Sequence, residues 1–259
     1  MLTSTRNPRV RAARGLLRSR ERRATGRHLV EGPRAVQEAL AAGVVEELYL
    51  VADDAAALQT SWQLTPPPDG SPVRVEHVTA EVLAAMCDAT TPQGVVAVAR
   101  TAPASLAQVP AGVVVVLDRV ADPGNAGTVL RTADALGAVA VVLTHGSVDA
   151  FAPKTVRAAV GSTYHLPVVT GITLTEVAAH ARQTGRRLVG LDAGGEAGLD
   201  LLRAADGAVT LVFGNEAHGL DPASRELLDA VVAIDLDPRA ESLNVAAAAA
   251  IAIHAVTRG

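Results

Sequence analysis

The sequence predicts an α/β protein of two domains, the second built on a parallel, doubly wound sheet. Three observations carry this. Short runs rich in Val, Ile and Leu alternate with helical segments along almost the whole chain, the pattern of strands joined by helical crossovers. Aromatic residues make up 2% of the chain while 49% is hydrophobic, so Val, Leu, Ile and Ala must fill the interior, which suits strand-and-helix layers better than an aromatic-rich sandwich. The character of the chain changes near residue 105, where TAPASLAQVP over 101–110 lacks periodic apolar positions and reads as a linker between a domain over 1–100 and one over 111–259.

The first domain opens with a basic helix over Leu2 to Arg23, in which Val10, Leu16 and Leu17 are sparse apolar positions and Asn7-Pro8 suits a first turn. HLVEG is a strand ended by Gly32-Pro33, and a helix follows from Pro33 to about Ala42, stopped by Gly43. VEELYLV is the next strand, and Asp53 opens a helix. QTSWQLTPPPDGS over 59–71, with three successive prolines, forms an exposed loop. PVRVEHV is a strand, Thr79 caps a helix to about Cys87, and GVVAVAR is a strand, which together give a small α/β/α domain. In the second domain GVVVVLDRV, AVAVVLT, RRLVGLD, AVTLVFG and AVVAIDL are runs of the kind buried on both faces of a parallel sheet, and a last helix spans Ser242 to about Val256. Ligands of such sheets gather at the carboxyl ends of the strands, so the loops after these runs are where chemistry belongs.

Charge is unevenly placed. The chain carries a formal −4, yet residues 1 to 34 hold ten arginines against Glu21 and Glu31, a local +8 that leaves −12 on the rest. A positive N-terminal region on an acidic body points to a polyanionic partner, with a merely solvated basic helix as the alternative. With so few rings, base stacking cannot dominate RNA affinity, and arginine contacts to phosphate and 2′-OH would supply it. Lone Cys87 forms no internal disulfide, the seven histidines are scattered and form no metal-binding pair, and no stretch resembles a signal peptide or membrane span. These features point to a cytoplasmic protein without a metal or a membrane.

Three loops concentrate polar residues. DRVADPGNAGTVLRTADALGA over 118–138 holds Asn125, Gly127 and Arg131 in the pattern N-x-G-x-x-x-R. LVFGNEAHGL over 211–220 runs a strand into a turn with Gly214, Asn215 and Glu216. IDLDPRAESLNVAAAAAIAIHAV over 234–256 puts Ser242 and Asn244 at the head of an Ala-rich helix. Each has a bland reading: an Asn cap beside a surface arginine, turn glycines beside a solvated glutamate, and a core helix. Together, in this order and each after a strand, they resemble the three motifs of SpoU-type RNA ribose 2′-O-methyltransferases of the SPOUT superfamily.

The resemblance covers nearly the whole chain. It implies a catalytic domain whose loops are threaded as a deep trefoil knot, preceded by a substrate-binding domain similar to small RNA-binding ribosomal proteins. It implies S-adenosylmethionine as cofactor and a homodimer formed through the C-terminal domain. Arg131, Asn125, Glu216, Ser242 and Asn244 match catalytic positions, with Glu216 the natural charge partner of Arg131. Leu191, Gly214, Asn215, Ile234, Leu236 and Leu243 match cofactor positions. Arg6, Arg9, Arg22 and Arg23, with Lys154 and Arg157 from FAPKTVRAAVGSTYHLPV over 151–168, match RNA contacts. His218, inside the second motif, has two readings, a residue touching the site and, preferred, a variable loop residue. The chain departs from the family where Asp235 and Pro238 replace the usual Pro and Gly before Ser-Leu-Asn, and where Ala246 replaces a frequent Ser. The expected substrate is large-subunit (23S) ribosomal RNA, with transfer RNA as the alternative. A non-catalytic RNA-binding protein would leave the three polar motifs unexplained. A dinucleotide oxidoreductase lacks its G-x-G-x-x-G, and a hydrolase its G-x-S-x-G.

Overall fold

The computed structural model describes residues 1–51, 67, 69–203 and 208–258. The expected helix opened at Asp53 and most of the proline loop lie outside them. The chain forms two compact units: residues 1–102 with 151–165, and residues 103–150 with 166–259.

In the first unit the basic N-terminal segment is two helices, not one: α1 (Pro8–Gly15) and α2 (Ser19–Thr25). Asn7 Oδ1 accepts from Arg9 N to start α1. The break falls at Leu16–Arg18, and Gly26, at φ 64°, closes α2 in the left-handed region that glycine adopts without strain. A four-stranded sheet follows with the order β1 (Arg27–Glu31), β4 (Val95–Arg100), β2 (Val45–Val51) and β3 (Arg74–Val78). β4 runs antiparallel to β1 and β2, and β2 parallel to β3. Strand periodicity sends successive residues to opposite faces. Val30, Leu48, Leu50 and Ala97 pack with Val36 and Leu40 of α3 (Pro33–Ala41), while Leu29, Tyr49 and Val96 pack with Val10, Leu16, and Val82 and Leu83 of α4 (Ala80–Met86). Thr79 caps α4 through its hydroxyl, which accepts from Val82 N.

The second unit begins at residue 103. From Pro103 on, the stretch expected as a linker is part of it: Ala104 bridges Val169 and the side chains of Leu106 and Val109 pack on the core. β5 (Val114–Leu117) leads into α5 (Pro123–Ala135), and β6 (Ala140–Thr144) follows. The chain then contributes residues 151–165, with α6 (Pro153–Ala159), to the first unit, where Val156 joins the α3 side of the core. It returns as β7 (Val168–Ile172), α7 (Leu174–Gln183), β8 (Arg187–Leu191), α8 (Asp200–Arg203), β9 (Val209–Phe213), α9 (Pro222–Arg225), β10 (Ala230–Val232) and α10 (Val245–Arg258). The six strands form one sheet, ordered β10-β8-β9-β5-β6-β7, and every pairing is parallel. The strands expected in this half are present, although β10 holds three residues where AVVAIDL suggested seven. β7 was not foreseen, because VVTGI breaks its apolar run with Thr170 and Gly171. Parallel order places the loops after β5, β8, β9 and β10 at one edge of the sheet.

Candidate active site

Those loops enclose a cavity of about 540 Å³. Its apolar wall is Leu191, Phe213, Val232, Ile234, Leu236 and Leu243, and its polar wall is Asn125, Asp192, Asn215, Glu216, Ser242 and Asn244. All six residues proposed from sequence for the cofactor line it, as do four of the five proposed for catalysis. Asp192 and His218 also line it.

A chain of hydrogen bonds joins the three motifs. Glu216 accepts from the backbone amides of Ala121 and Asp122, both at 3.0 Å, and from Asn125 Nδ2 at 3.1 Å. Asn125 Oδ1 accepts in turn from Asn244 Nδ2 at 2.9 Å, and Asn244 Oδ1 from Ala246 N at 2.8 Å, which anchors the head of α10. Burial opposes ionisation of Glu216, but the donated Ala121 amide, Asn125 side chain and Asp122 amide outweigh it and hold the carboxyl below its ordinary range. A fixed carboxylate therefore stands at the pocket wall, held by neutral donors and free of a cationic partner among the described residues.

The turn after β9 is narrow by necessity. Asn215 and Gly219 exchange both backbone hydrogen bonds, and a Cβ on Gly214 would lie 2.3 Å from the Gly219 carbonyl carbon and oxygen. Only glycine fits there. Asp192 braces the same turn by accepting from Leu220 N at 3.2 Å and from Gly194 N at 2.9 Å, with Arg225 at 2.5 Å. Burial opposes its ionisation too, yet these amides and the guanidinium keep it ionised below the usual range. The sequence reading missed Asp192, although its place directly after a strand was the available signal.

Arg131 departs from expectation. The helix starts at Pro123, with Asp122 as its cap, so Asn125 lies in the first turn and Arg131 in the third. Arg131 is exposed, does not line the cavity, and makes no ion pair among the described residues. Its expected pairing with Glu216 is therefore absent, since Glu216 is turned to the amides at the head of α5.

The proposed RNA contacts divide. Arg6 and Arg23 are exposed. Arg9 is exposed but paired with Glu76. Arg22 is 6% exposed, and its guanidinium donates to the Leu16 and Leu17 carbonyls at 2.8 and 2.9 Å, so it joins α1 to α2 and is no surface contact. Arg157 ties α6 to Glu31 at 3.1 Å and Asp88 at 3.0 Å within the first unit. Buried Glu31 also needs the Asp88 and Ala89 amides, which explains why a guanidinium is drawn inward there. Lys154 is exposed on α6. No group of acidic, His or Cys side chains among the described residues could hold a metal ion. No helix among them is long and apolar enough to cross a membrane.

The model of the SpoU rRNA Methylase family matches residues 112–254, and that of the MRM3-like substrate binding domain matches 7–97. The chain is 35% identical over 257 residues to a 23S rRNA (guanosine(2553)-2′-O)-methyltransferase of Bacillus subtilis, covering 98% of this chain and 97% of that protein. An S-adenosylmethionine-bound rRNA methyltransferase from Sinorhizobium meliloti superposes with a TM-score of 0.84 at 29% identity, over 99% of this chain and 97% of the other. The SpoU methyltransferase AviRb from Streptomyces viridochromogenes, in complex with the same cofactor, superposes at 0.81 with 30% identity, over 97% and 98%.

The cavity fits S-adenosylmethionine. Its volume is that of a small-molecule site, its apolar wall suits an adenine ring, and its carboxylates Glu216 and Asp192 suit the cofactor's positive charge. Gly214 lets the 215–219 turn close tightly on itself at the pocket wall, where main-chain groups of Gly214 and Asn215 can meet a cofactor. With the family model matched over 112–254 and a relative 35% identical along 98% of the chain, on top of the three motifs, the chain belongs to the SpoU rRNA methylase family.

Proposed function

We propose that the protein transfers a methyl group from S-adenosylmethionine to a ribose 2′-OH of 23S ribosomal RNA. The observation that carries this is the hydrogen-bonded convergence of Glu216, Asn125 and Asn244, from three distant segments, on one cofactor-sized pocket. The ribosomal substrate, preferred over transfer RNA, is supported by the match to a 23S rRNA enzyme along nearly the full chain and by the substrate-binding domain before the catalytic one.

The cofactor supplies a methyl on a sulfonium, already a strong electrophile. What the protein adds is placement of the 2′-OH in line with it. Ser242 lines the pocket, where its hydroxyl can meet the ribose, and the fixed Asn125–Asn244 pair sets the angle of approach. Arg131, whose guanidinium offers donors and no acceptor, serves as a donor to the target's phosphate and ribose oxygens, stabilising developing oxyanion charge.

The reading includes a homodimer through the second unit, a deep trefoil knot and a cytoplasmic location. Leu243 and Ile251, 37% and 38% exposed, give the head and outer face of α10 an apolar surface that a second copy would cover. Such a pairing would also bring an Arg131 that does not line its own subunit's pocket to the reacting groups. The knot is supported by the path of the chain, which passes from β9 beyond β8 to β10 and then returns to pack α10 on α5.

Mapping 2′-O-methyl groups on total RNA from cells with and without the protein tests the assignment, with one missing methyl on 23S rRNA expected. A methyl missing from tRNA instead, or none missing, would overturn it. In vitro, Arg131→Ala should abolish methyl transfer while S-adenosylmethionine binding by calorimetry stays nearly unchanged. Wild-type turnover in that variant would remove Arg131 from the site.

A further inference from the structure

Arg119, which no step above uses, opens the β5–α5 loop with a left-handed backbone at φ 59°. Among the described residues only Val160 shares a positive φ without being glycine. This conformation crowds Cβ against the backbone and persists only where the surroundings hold it. Here the ends of β5 and β6 and the head of α9 do so. Arg119 N donates to Thr144 Oγ1, at the end of β6, at 3.2 Å. Its guanidinium is held by Asp118 at 3.0 Å, by Asp221, and by Ser224 Oγ at 3.1 Å. Asp118, 3% exposed, accepts further from Thr144 Oγ1 at 2.7 Å and Ser224 Oγ at 2.9 Å.

The strained backbone aims one group at the pocket wall. Arg119 O accepts from Asn215 Nδ2 at 2.9 Å, which decides the way the Asn215 amide faces. Asn215 Oδ1 is then turned to accept from Ala217 N at 3.0 Å and His218 N at 3.3 Å, shaping the turn that lines the cavity. Two residues beyond Arg119 the Ala121 amide meets Glu216, followed by that of Asp122. Both attachments of the loop to the 215–219 turn thus follow from the conformation at Arg119.

We propose that Arg119 is a positioning residue for methyl transfer: its clamped left-handed backbone holds the Asn215–Gly219 turn in the shape that receives S-adenosylmethionine, and so sets cofactor affinity. The proposal rests on the methyltransferase reading above. Arg119 itself touches no reacting atom.

Calorimetric titration of S-adenosylmethionine into the full chain, beside Arg119→Ala, Arg119→Gly and Arg119→Lys, tests it. The Ala and Gly variants should bind about tenfold or more weakly, with KM for the cofactor rising in parallel and kcat at saturating cofactor within about threefold of wild type. Lys, which keeps the charge, should recover part of the affinity. Gly is informative because it adopts φ 59° without strain: wild-type affinity there would mean that the guanidinium clamp is dispensable, and would overturn the proposal. So would a lowered melting temperature with unchanged Kd, the mark of a purely structural role. Should Arg119→Ala not fold, Asp221→Asn removes one hold at a 38% exposed side chain, and the same loss of affinity is expected. A wild type that binds no cofactor overturns the methyltransferase reading itself, whereas binding by wild type with unaltered variants overturns this proposal alone.

Discussion

Two arginines one position apart make opposite contributions. Arg22 is buried with its guanidinium on the Leu16 and Leu17 carbonyls, while Arg23 is exposed, with no side-chain hydrogen bond or ion pair to the described residues. Arg22→Ala strands two carbonyls and should cost about 1–3 kcal/mol in urea unfolding, with RNA affinity in the folded fraction unchanged. Arg23→Ala should leave the unfolding midpoint within about 0.5 kcal/mol and weaken RNA binding instead. Matching losses of stability in both variants would contradict the division. Gly214 is the other residue whose identity the geometry dictates. Gly214→Ala places a Cβ 2.3 Å from backbone that cannot yield without opening the turn, so S-adenosylmethionine affinity should drop by about tenfold or more. Wild-type affinity would show that the turn is not the cofactor's wall. The sequence made Gly214 legible because a glycine leaving a strand has few roles. It left Arg22 and Arg157 illegible, because a charge count says nothing about which way a guanidinium turns. Whether it meets solvent or a buried carbonyl or carboxylate depends on partners such as Glu31, 126 positions from Arg157 in the chain.

Most strands were readable from their apolar runs, whereas β7 and the break between α1 and α2 were not. β5, β6, β8 and β9 are Val- and Leu-rich, and each lies where its run predicted. β7, with Thr170 and Gly171, and the break between α1 and α2 depend on neighbours brought by the fold: β6 pairs the first, and the Arg22 guanidinium bridges the second. The turn after β9 was readable as a turn, but the partners that hold it and the helix beyond it come from other loops. Asp221 caps α9 and is bound by Arg119 and by the Ser224 amide, which bring its pKa to about 2 from 3.8. A depressed folded pKa means that the stabilisation is fully present above the unfolded value, near pH 4, and is lost as pH falls towards 2. Urea midpoints measured at pH about 4.5 and about 2.5 should therefore fall further for wild type than for Asp221→Asn, which has no proton to take up. Equal falls would mean that the Arg119 pairing adds nothing to the folded state in solution, where a side chain 38% exposed is partly screened.

The whole molecule separates a basic N-terminal segment from an acidic remainder, and the structure shows how many of those charges are available. Arg9, Arg18, Arg22, Arg27 and Arg34 are engaged with carboxylates or carbonyls. Arg6, Arg11, Arg14, Arg20 and Arg23 are exposed and make no side-chain hydrogen bond or ion pair with the described residues. If each of these neutralises one phosphate, RNA binding releases about five counterions, and log K should fall against log salt with a slope of about −4. Had all ten arginines of the segment been free, the slope would approach about −8. Filter binding of 23S rRNA fragments across a salt series distinguishes the two. Arg20→Ala and Arg23→Ala together should make the slope shallower by about 2, while Arg9→Ala, which mainly releases Glu76, should change it by less than about 1. A slope that ignores the paired substitution would move the RNA-binding surface off this segment and onto a part of the chain whose net charge is negative.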